Sequence, residues 1–412
     1  MAYDDTTFRR SEEQPSDPAA YRANALAAEQ RRRADEVAAA ETDTTTGSLS
    51  PIGPEDDGRD RLGIHLGWEV VLLLGAAAIG FLLWRVDADA LKRPALDNLL
   101  VTGAAIGLLA MGAGLTLRAG VPNLALGPIA LAAALQYAEQ GDQGLVKAAV
   151  PAIIFAAAGG IVVGLLILVL HVPGWAATLA AGLGVIVFDQ LRTAPVRVQG
   201  DFDPTNQAFF IFGGFALLAV IGGALGTITP LRRWLGGMRA SGDPARRRGA
   251  VVAAPVLLSL ALSSIFAVGA GILMAAQSTG PVVPGTGIEW TGIAIGLALL
   301  AGTSAYGRRG GIFGTLFAVV GLTLFLDYNV RKDLQISLFA IAACLLGAGL
   351  LITRLVETYG RPLPPRVEDW NAAPTSGVEN WNPDLPGSWT SPGATPVTQE
   401  DRWDDGPWGS KR

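Results

Sequence analysis

Few side chains in this 412-residue chain are of the types that catalyse reactions or bind metals. The sequence has one cysteine, Cys344, and two histidines, His65 and His171, which lie far apart. It shows no Ser/His/Asp triad, no paired carboxylates and no Gly-x-x-x-x-Gly-Lys-Ser/Thr loop for nucleotide phosphates. We therefore expect no catalytic residue, no cofactor and no metal site. The remaining candidates are polar residues inside apolar segments.

Five polar residues lie within long apolar segments or at their ends. They are Asn123, Thr178, Glu289, Thr303 and Ser304. Polar groups are costly in a membrane, so each is a candidate for function. Serine and threonine also bond back to their own helix, which is the alternative for three of the five. We interpret the set as candidates for a translocation path.

Two further charged residues, Asp189 and Arg192, are one helical turn apart at the end of an apolar segment. This spacing favours an ion pair between them at the membrane interface. An alternative is that Asp189, Glu289 or Asp327 couples transport to protons. Both interpretations stay open at the level of sequence.

The apolar segments themselves are of membrane-crossing length. About 20 residues of helix, at 1.5 Å per residue, cross about 30 Å of hydrocarbon, and helices satisfy their own backbone hydrogen bonds in lipid. The sequence predicts an all-α polytopic membrane helix bundle of about ten transmembrane helices. The predicted spans are 68–85, 97–117, 122–138, 147–170, 174–191, 207–227, 250–276, 289–305, 311–327 and 336–353. The third and eighth begin with polar residues, so we expect them to be broken or partly re-entrant.

The membrane domain, residues 67–354, lies between two tails of different composition. Residues 1–66 are acidic, residues 355–412 are rich in proline, glycine and tryptophan, and we predict both to be disordered. The basic cluster at 232–248 and an even number of spans place both tails in the cytoplasm of a bacterial cell. No basic surface suited to nucleic acid is present. Membrane lipid is the partner that hydropathy alone implies.

Glycines cluster between the eighth and ninth predicted spans. They are Gly302, Gly307, Gly310, Gly311 and Gly314. Such a cluster permits a tight reversal of the chain and close packing of the returning helix. We interpret it as a glycine hinge at the cytoplasmic side.

The hinge, residues 302–315, resembles the Gly-Thr-Ser-x-x-Gly-x-x-Gly-x-x-x-Gly-Thr run of bacterial ABC importer permeases of the ribose and branched-chain amino acid type. Three other segments resemble motifs of that family in matching order: 120–127, 172–179 and 284–289. The resemblance covers roughly residues 95–353. It implies a pore-forming subunit that is not an enzyme and has no ATPase motif of its own.

The resemblance also implies partners. These are an ABC ATPase subunit, an extracellular solute-binding protein and a second permease copy or a paralogue. The expected ATPase-docking element is the loop 231–249, with candidate residues Gly236, Gly237, Arg239, Ala240, Ser241 and Gly242. Alternatively, this loop is a basic turn that anchors the protein to lipid, and the whole chain is a repurposed membrane scaffold.

Overall fold

A computed structural model describes residues 62–236, 250–305 and 311–360, and these ranges contain eleven α-helices. The helices are α1 (Leu62–Val86), α2 (Ala95–Ala119), α3 (Leu126–Gln140), α4 (Leu145–Leu170), α5 (Gly174–Gln190), α6 (Ala208–Leu225), α7 (Thr229–Leu235), α8 (Ala250–Ala276), α9 (Ile288–Leu300), α10 (Gly314–Arg331) and α11 (Leu338–Gly360). The extended pairing within the described ranges is one antiparallel bridge between Val196 and Val282. The predicted all-α class is confirmed.

Six of the described helices are long and apolar enough to cross a membrane: α1, α2, α4, α6, α8 and α11. Helices α5 and α9 are apolar but shorter. The chain is therefore a multi-pass membrane protein. The predicted number of ten crossings is not confirmed by these lengths and stays a prediction.

Each predicted span nevertheless corresponds to one helix, and α7 is an addition between two of them. The bounds differ most at the two ends, because α1 begins at Leu62 and α11 continues to Gly360. Backbone hydrogen bonds continue a helix beyond its apolar residues, so hydropathy does not fix where it ends. Residues 1–61 and 361–412 lie outside the described residues, and the predictions for the tails remain untested.

Small residues allow the helices to pack with their backbones close together. Helices α2 and α8 are largely buried, whereas α1 and α4 expose many apolar side chains. At Gly160 of α4, an added Cβ would lie 2.7 Å from the carbonyl oxygen of Leu260 in α8. At Gly107 of α2, it would overlap the ring of Phe215 in α6. Close approach of this kind replaces the hydrophobic drive that lipid does not provide between helices.

Candidate functional site

Helices α3 and α9, of 15 and 13 residues, begin at the same place. Neither crosses about 30 Å of hydrocarbon, since 15 residues of helix span only about 22 Å. The backbones of Gly127 and Gly287 touch there: a Cβ at Gly287 would lie 2.7 Å from the carbonyl oxygen of Gly127. Gly287 also has a φ of 64°, which favours glycine. We call residues 123–127 together with residues 285–291 the helix-start junction.

The helix-start junction lies in the interior of the bundle. The side-chain amide of Asn123 donates a hydrogen bond of 2.8 Å to the hydroxyl of Ser263, which is midway along α8. Further along, a Cβ at Gly271 of α8 would overlap the backbone of Ala130 in α3. Helix α3 therefore starts beside the middle of α8 and runs along its second half.

Helix α9 runs towards the opposite side of the bundle. Asp87, directly after α1, lines the same cleft as Asn98 in α2, and Gln277, directly after α8, donates to the carbonyl oxygen of Asn98 at 3.0 Å. The ends of α1 and α8 are therefore on one side. On the other side, the carbonyl oxygen of Leu300, at the end of α9, accepts a 2.7 Å hydrogen bond from Trp68 near the start of α1. Helices α3 and α9 thus leave the junction in opposite directions.

Two of the predicted path residues form hydrogen bonds at or beside the junction. The carboxamide oxygen of Asn123 accepts from the backbone N–H of Ala125 at 3.0 Å, in addition to the bond to Ser263. The hydroxyl of Thr178 donates to the carbonyl oxygen of Pro122 at 2.7 Å. Both side chains are buried. Asn123 and Thr178 therefore fix the start of α3, a role that satisfies their polar groups.

A residue that sequence reasoning did not select, Thr291, connects the two helix starts. Its hydroxyl accepts from the backbone N–H of Gly127 at 2.8 Å and donates to the carbonyl oxygen of Leu124 at 3.2 Å. One side chain of α9 thus satisfies backbone groups at the start of α3, which would otherwise lack partners. The only signal in the sequence is its position four residues after Gly287.

The other three predicted path residues lie at the two ends of α9. Glu289 is the second residue of α9, is half-buried and makes no hydrogen bond or ion pair with the described part of the chain. Thr303 and Ser304 are buried just beyond the last residue of α9, about 20 Å away along 13 residues of helix. The structure therefore brings Asn123, Thr178 and Glu289 to the junction and places Thr303 and Ser304 elsewhere.

The predicted glycine hinge lies where α9 leads into α10. From here on, we call residues 301–314 the hinge segment; Gly314 is also the first residue of α10. Gly302 has a φ of 92°, and its N–H donates to the carbonyl oxygen of Leu299 at 2.9 Å, which is a glycine-terminated helix end. A Cβ at Gly314 would overlap the carbonyl oxygen of Ala301. Two of the predicted hinge glycines, Gly307 and Gly310, lie outside the described residues.

Helix α1 holds both described flanks of the hinge segment. The carboxylate of Glu69, which is 3% exposed, accepts from the backbone N–H groups of Phe313 at 2.9 Å and Gly314 at 3.3 Å. The indole N–H of Trp68 bonds the carbonyl oxygen of Leu300, as described above. A carboxylate suits the first turn of α10, where N–H groups are unpaired and the helix dipole is positive. We call Trp68 and Glu69 the α1 clasp. Gly311, which also belongs to the predicted hinge glycines, packs directly against Glu69.

The predicted ion pair between Asp189 and Arg192 is wrong. The guanidinium of Arg192 instead donates to both carboxylate oxygens of Glu139, at 2.6 and 2.9 Å, because this fork-to-fork geometry gives two charge-assisted bonds. The bond to Glu139 raises the pKa of Arg192 above its usual value. Asp189 is fully buried, and neither of its carboxylate oxygens accepts a hydrogen bond from the described residues.

Comparison with known protein families identifies the class of protein to which these helices belong. The model of the family described as "Branched-chain amino acid transport system / permease component" matches residues 95–328, more than half of the chain. The chain belongs to this permease family. No curated protein and no solved structure matches it. The predicted resemblance to ABC importer permeases of this type is confirmed.

The matched range of the permease contains both sides of the helix-start junction but not all the supports of the hinge segment. The α1 clasp precedes the range, and Thr353 follows it. The hydroxyl of Thr353, in α11, donates to the carbonyl oxygens of Leu299 at 3.2 Å and Thr303 at 3.5 Å. Sequence reasoning missed these supports because each is a single polar side chain in an apolar helix, without a motif around it.

The predicted ATPase-docking loop of the permease is described only in part. The last five residues of α7 and Gly236 form its first residues, and Pro230 is the second residue of α7, a position that suits the first turn of a helix. The other candidate docking residues lie outside the described residues; they are Gly237, Arg239, Ala240, Ser241 and Gly242. Docking at this loop stays a prediction.

Proposed function

We propose that this permease forms the translocation path of an ABC importer for a small polar solute, such as a sugar, a nucleoside or an amino acid. Membership of the permease family over residues 95–328 carries this proposal. The helix-start junction supports it, because transporters commonly build their solute path where short helices begin in the interior of a bundle. Glu289 stands at that position with no partner in the described chain.

In this proposal a separate ATPase subunit provides the energy, and the chain itself hydrolyses nothing. The ATPase docks on the loop 231–249, an extracellular solute-binding protein delivers the solute, and a second permease copy or a paralogue completes the path. Nucleotide-driven closure of the ATPase then rocks the helices and exposes the path alternately to the two sides. The protein resides in the bacterial cell membrane with both termini in the cytoplasm.

Co-purification and uptake measurements test this coupling. The tagged full chain, expressed in its own host, should retain an ATPase subunit, and uptake of the solute should stop when ATP is depleted. Replacement of residues 239–243 by glycine and serine should abolish ATP-dependent uptake. The amount of inserted protein and its melting temperature should stay unchanged. Full uptake by this variant would contradict docking at the loop.

A proton-coupled transporter is the second candidate, and one observation favours it. Asp189 is a fully buried carboxyl group without a hydrogen-bond partner among the described residues, and such groups in membrane helices are typical of proton relays. Uptake that survives ATP depletion, collapses with a protonophore and is lost in Asp189→Asn would establish this alternative. Under the ABC proposal, the protonophore has no direct effect.

The sidedness of the termini can be measured by cysteine labelling. In a Cys344→Ser background, cysteines at Thr45 and at Thr390 should be inaccessible to an impermeant maleimide in intact cells. A cysteine at Asp201, in the connection between α5 and α6, should be labelled. Labelling at Thr45 or Thr390 would refute the ten-span topology with cytoplasmic termini.

A further inference from the structure

An apolar cleft of about 450 Å³ lies between α1, α10 and α11, beside the hinge segment. None of its sixteen lining side chains carries oxygen or nitrogen. On α1 the lining extends from Val71 to Ile79, which is about 12 Å of helix. Leu300, at the end of α9, also lines the cleft, and its carbonyl oxygen is bonded by Trp68 of the α1 clasp. Such a lining offers no partner to a polar solute, so the cleft is not part of the proposed solute path.

The cleft opens towards an exposed apolar surface of the bundle. Val71 and Ile336 belong to its lining, and they are 51% and 38% exposed. Large apolar side chains continue the surface beside the opening, among them Leu74 on α1 and Phe339 on α11. An apolar molecule can therefore enter sideways from the hydrocarbon region without crossing water.

A polar cleft lies where α1 and α10 end and α2 begins. It is lined by Asp87, Asp89, Lys92, Arg93, Pro94, Ala95, Asn98 and Arg331. Asp87 comes eight residues after Ile79, and Arg331 comes six residues after Phe325, which also lines the apolar cleft. These distances are about 12 Å and about 9 Å along the two helices, so the polar cleft lies within about 12 Å of the apolar one along the helix axes.

The charges of the polar cleft have both signs. Arg331 bonds the carboxylates of Asp87 and Asp327, and Lys92 bonds Asp89 at 2.9 Å. Lys92 and Asp89 are both largely exposed. Exposed pairs of this kind contribute little on their own and exchange readily for other partners. The cleft therefore suits a headgroup that carries a phosphate and an ammonium group.

From Val71 to Asp87, the two clefts together extend about 24 Å along α1. Half of a bilayer, with its headgroups, measures about 20–22 Å. We propose that the two clefts form one binding site for a zwitterionic phospholipid, with an acyl chain between α1, α10 and α11 and the headgroup at Lys92, Asp89 and Arg93. The bound acyl chain fills the space behind Leu300 and Phe317 and so supports α1 against α10.

Retention of phospholipid through purification tests the site. Native mass spectrometry of the full chain, purified in dodecyl maltoside with dioleoylphosphatidylethanolamine, should show about one bound phospholipid per chain. Gly75 lines the apolar cleft, and a Cβ there meets nothing within 4 Å, so Gly75→Leu should fill the cleft and abolish retention. Gly159 of α4 is equally open but distant from the cleft, and Gly159→Leu should retain the lipid. Equal retention in the two variants would overturn the proposal.

A second pair of variants tests whether the polar cleft binds the headgroup. Combined Lys92→Ala and Arg93→Ala substitution should weaken retention about fivefold, as expected for two exposed charge contacts. Lys147→Ala, at an exposed cation near the start of α4, should have no effect. Undiminished retention in the double variant would show that the polar cleft binds no headgroup and would overturn the assignment of a phospholipid.

A measurement on the unaltered chain covers the case that Gly75→Leu does not fold. Cys344 lines the cleft and is the single cysteine of the sequence. Addition of dioleoylphosphatidylethanolamine to delipidated protein should slow alkylation of Cys344 by N-ethylmaleimide several-fold, whereas oleic acid should slow it less. An unchanged rate, or equal protection by oleic acid, would each contradict the site.

Discussion

The helix-start junction and the hinge segment lie at opposite ends of α9, and they are held in different ways. At the junction, Gly127 and Gly287 bring two backbones into contact, and Thr291 bonds across them. At the hinge segment, side chains of other helices hold the chain, above all Glu69 at the start of α10. The junction thus combines a contact between two backbones with side-chain bonds, whereas the described flanks of the hinge segment depend chiefly on single bonds from α1 and α11.

The supports of the junction and those of the hinge segment also differ in whether they lie within the range that the family model matches. Both sides of the junction lie within residues 95–328, whereas Trp68, Glu69 and Thr353 lie outside that range. We infer that α1 and α11 are part of the mechanism that positions the hinge segment. Four substitutions, ordered from the largest to the smallest expected effect, test this comparison.

The largest effect is expected for Gly127→Leu. Its Cβ would overlap the backbone of Gly287, which cannot move without displacing α9. We expect a loss of about 3 kcal/mol or more in the free energy of unfolding, at or above the usual range for overpacking. Melting temperature and folded yield in detergent measure this loss. Gly184→Leu, where an added Cβ meets nothing within 4 Å, should be nearly silent, and equal behaviour of the two variants would contradict the role of the backbone contact.

Gly314→Leu tests the same principle at the hinge segment. The added side chain would overlap the carbonyl oxygen of Ala301, and we expect a loss of about 2–3 kcal/mol. Ile312→Leu conserves volume and should cost less than about 1 kcal/mol. The comparison uses the yield of folded protein and the rate of uptake. If both variants resemble the unaltered permease, the close contact at Gly314 is not required.

Glu69→Ala removes the acceptor from the first turn of α10. Two backbone N–H groups, one buried and one partly buried, then lose their partner, and we expect a loss of about 2 kcal/mol. Glu69→Gln keeps an oxygen acceptor but loses the favourable charge at a helix start, so its loss should be about half as large. Thermal unfolding in detergent compares the two. Identical melting temperatures for Ala, Gln and Glu at this position would show that the clasp does not stabilise the hinge.

The smallest effect is expected for Thr353→Val, which keeps the shape and removes one hydroxyl. The carbonyl oxygen of Leu299 loses a 3.2 Å hydrogen bond, and a typical bond of this kind contributes about 1 kcal/mol. Thr358→Val is the control, because that hydroxyl bonds only its own helix at an exposed position. A larger loss for Thr358→Val than for Thr353→Val would reverse the expected order.

The sequence predicts the positions of the helices well, because each helix other than α7 coincides with an apolar segment of sufficient length. It also indicates where α3 and α9 are unusual, since Pro122 and Asn123 open one span and Glu289 opens the other. Polar residues at such positions displace the start of a helix, and α3 begins at Leu126. The length and composition of the apolar segments therefore account for the bundle and for its two short helices.

Long-range partners are not predictable in the same way. The local spacing favoured Asp189 for Arg192, but Glu139, 53 residues away, binds it. Glu69 gave no local signal either, because the N–H groups that donate to its carboxylate lie 244 and 245 residues further along the chain. A rule based on neighbouring positions cannot detect a partner that only the folded bundle brings close.

The separation in sequence between Glu69 and its hydrogen-bond partners affects the order in which the protein is assembled during synthesis. Helix α1 is synthesised first, and the N–H groups that bond Glu69 follow 244 residues later. At 5–20 residues per second this delay is about 12–50 s. Throughout that interval α1 carries a carboxyl group whose permanent donors do not yet exist. The contact between Glu69 and the start of α10 therefore forms only after the hinge segment has been made, so this part of the packing of α1 is a late event in biogenesis.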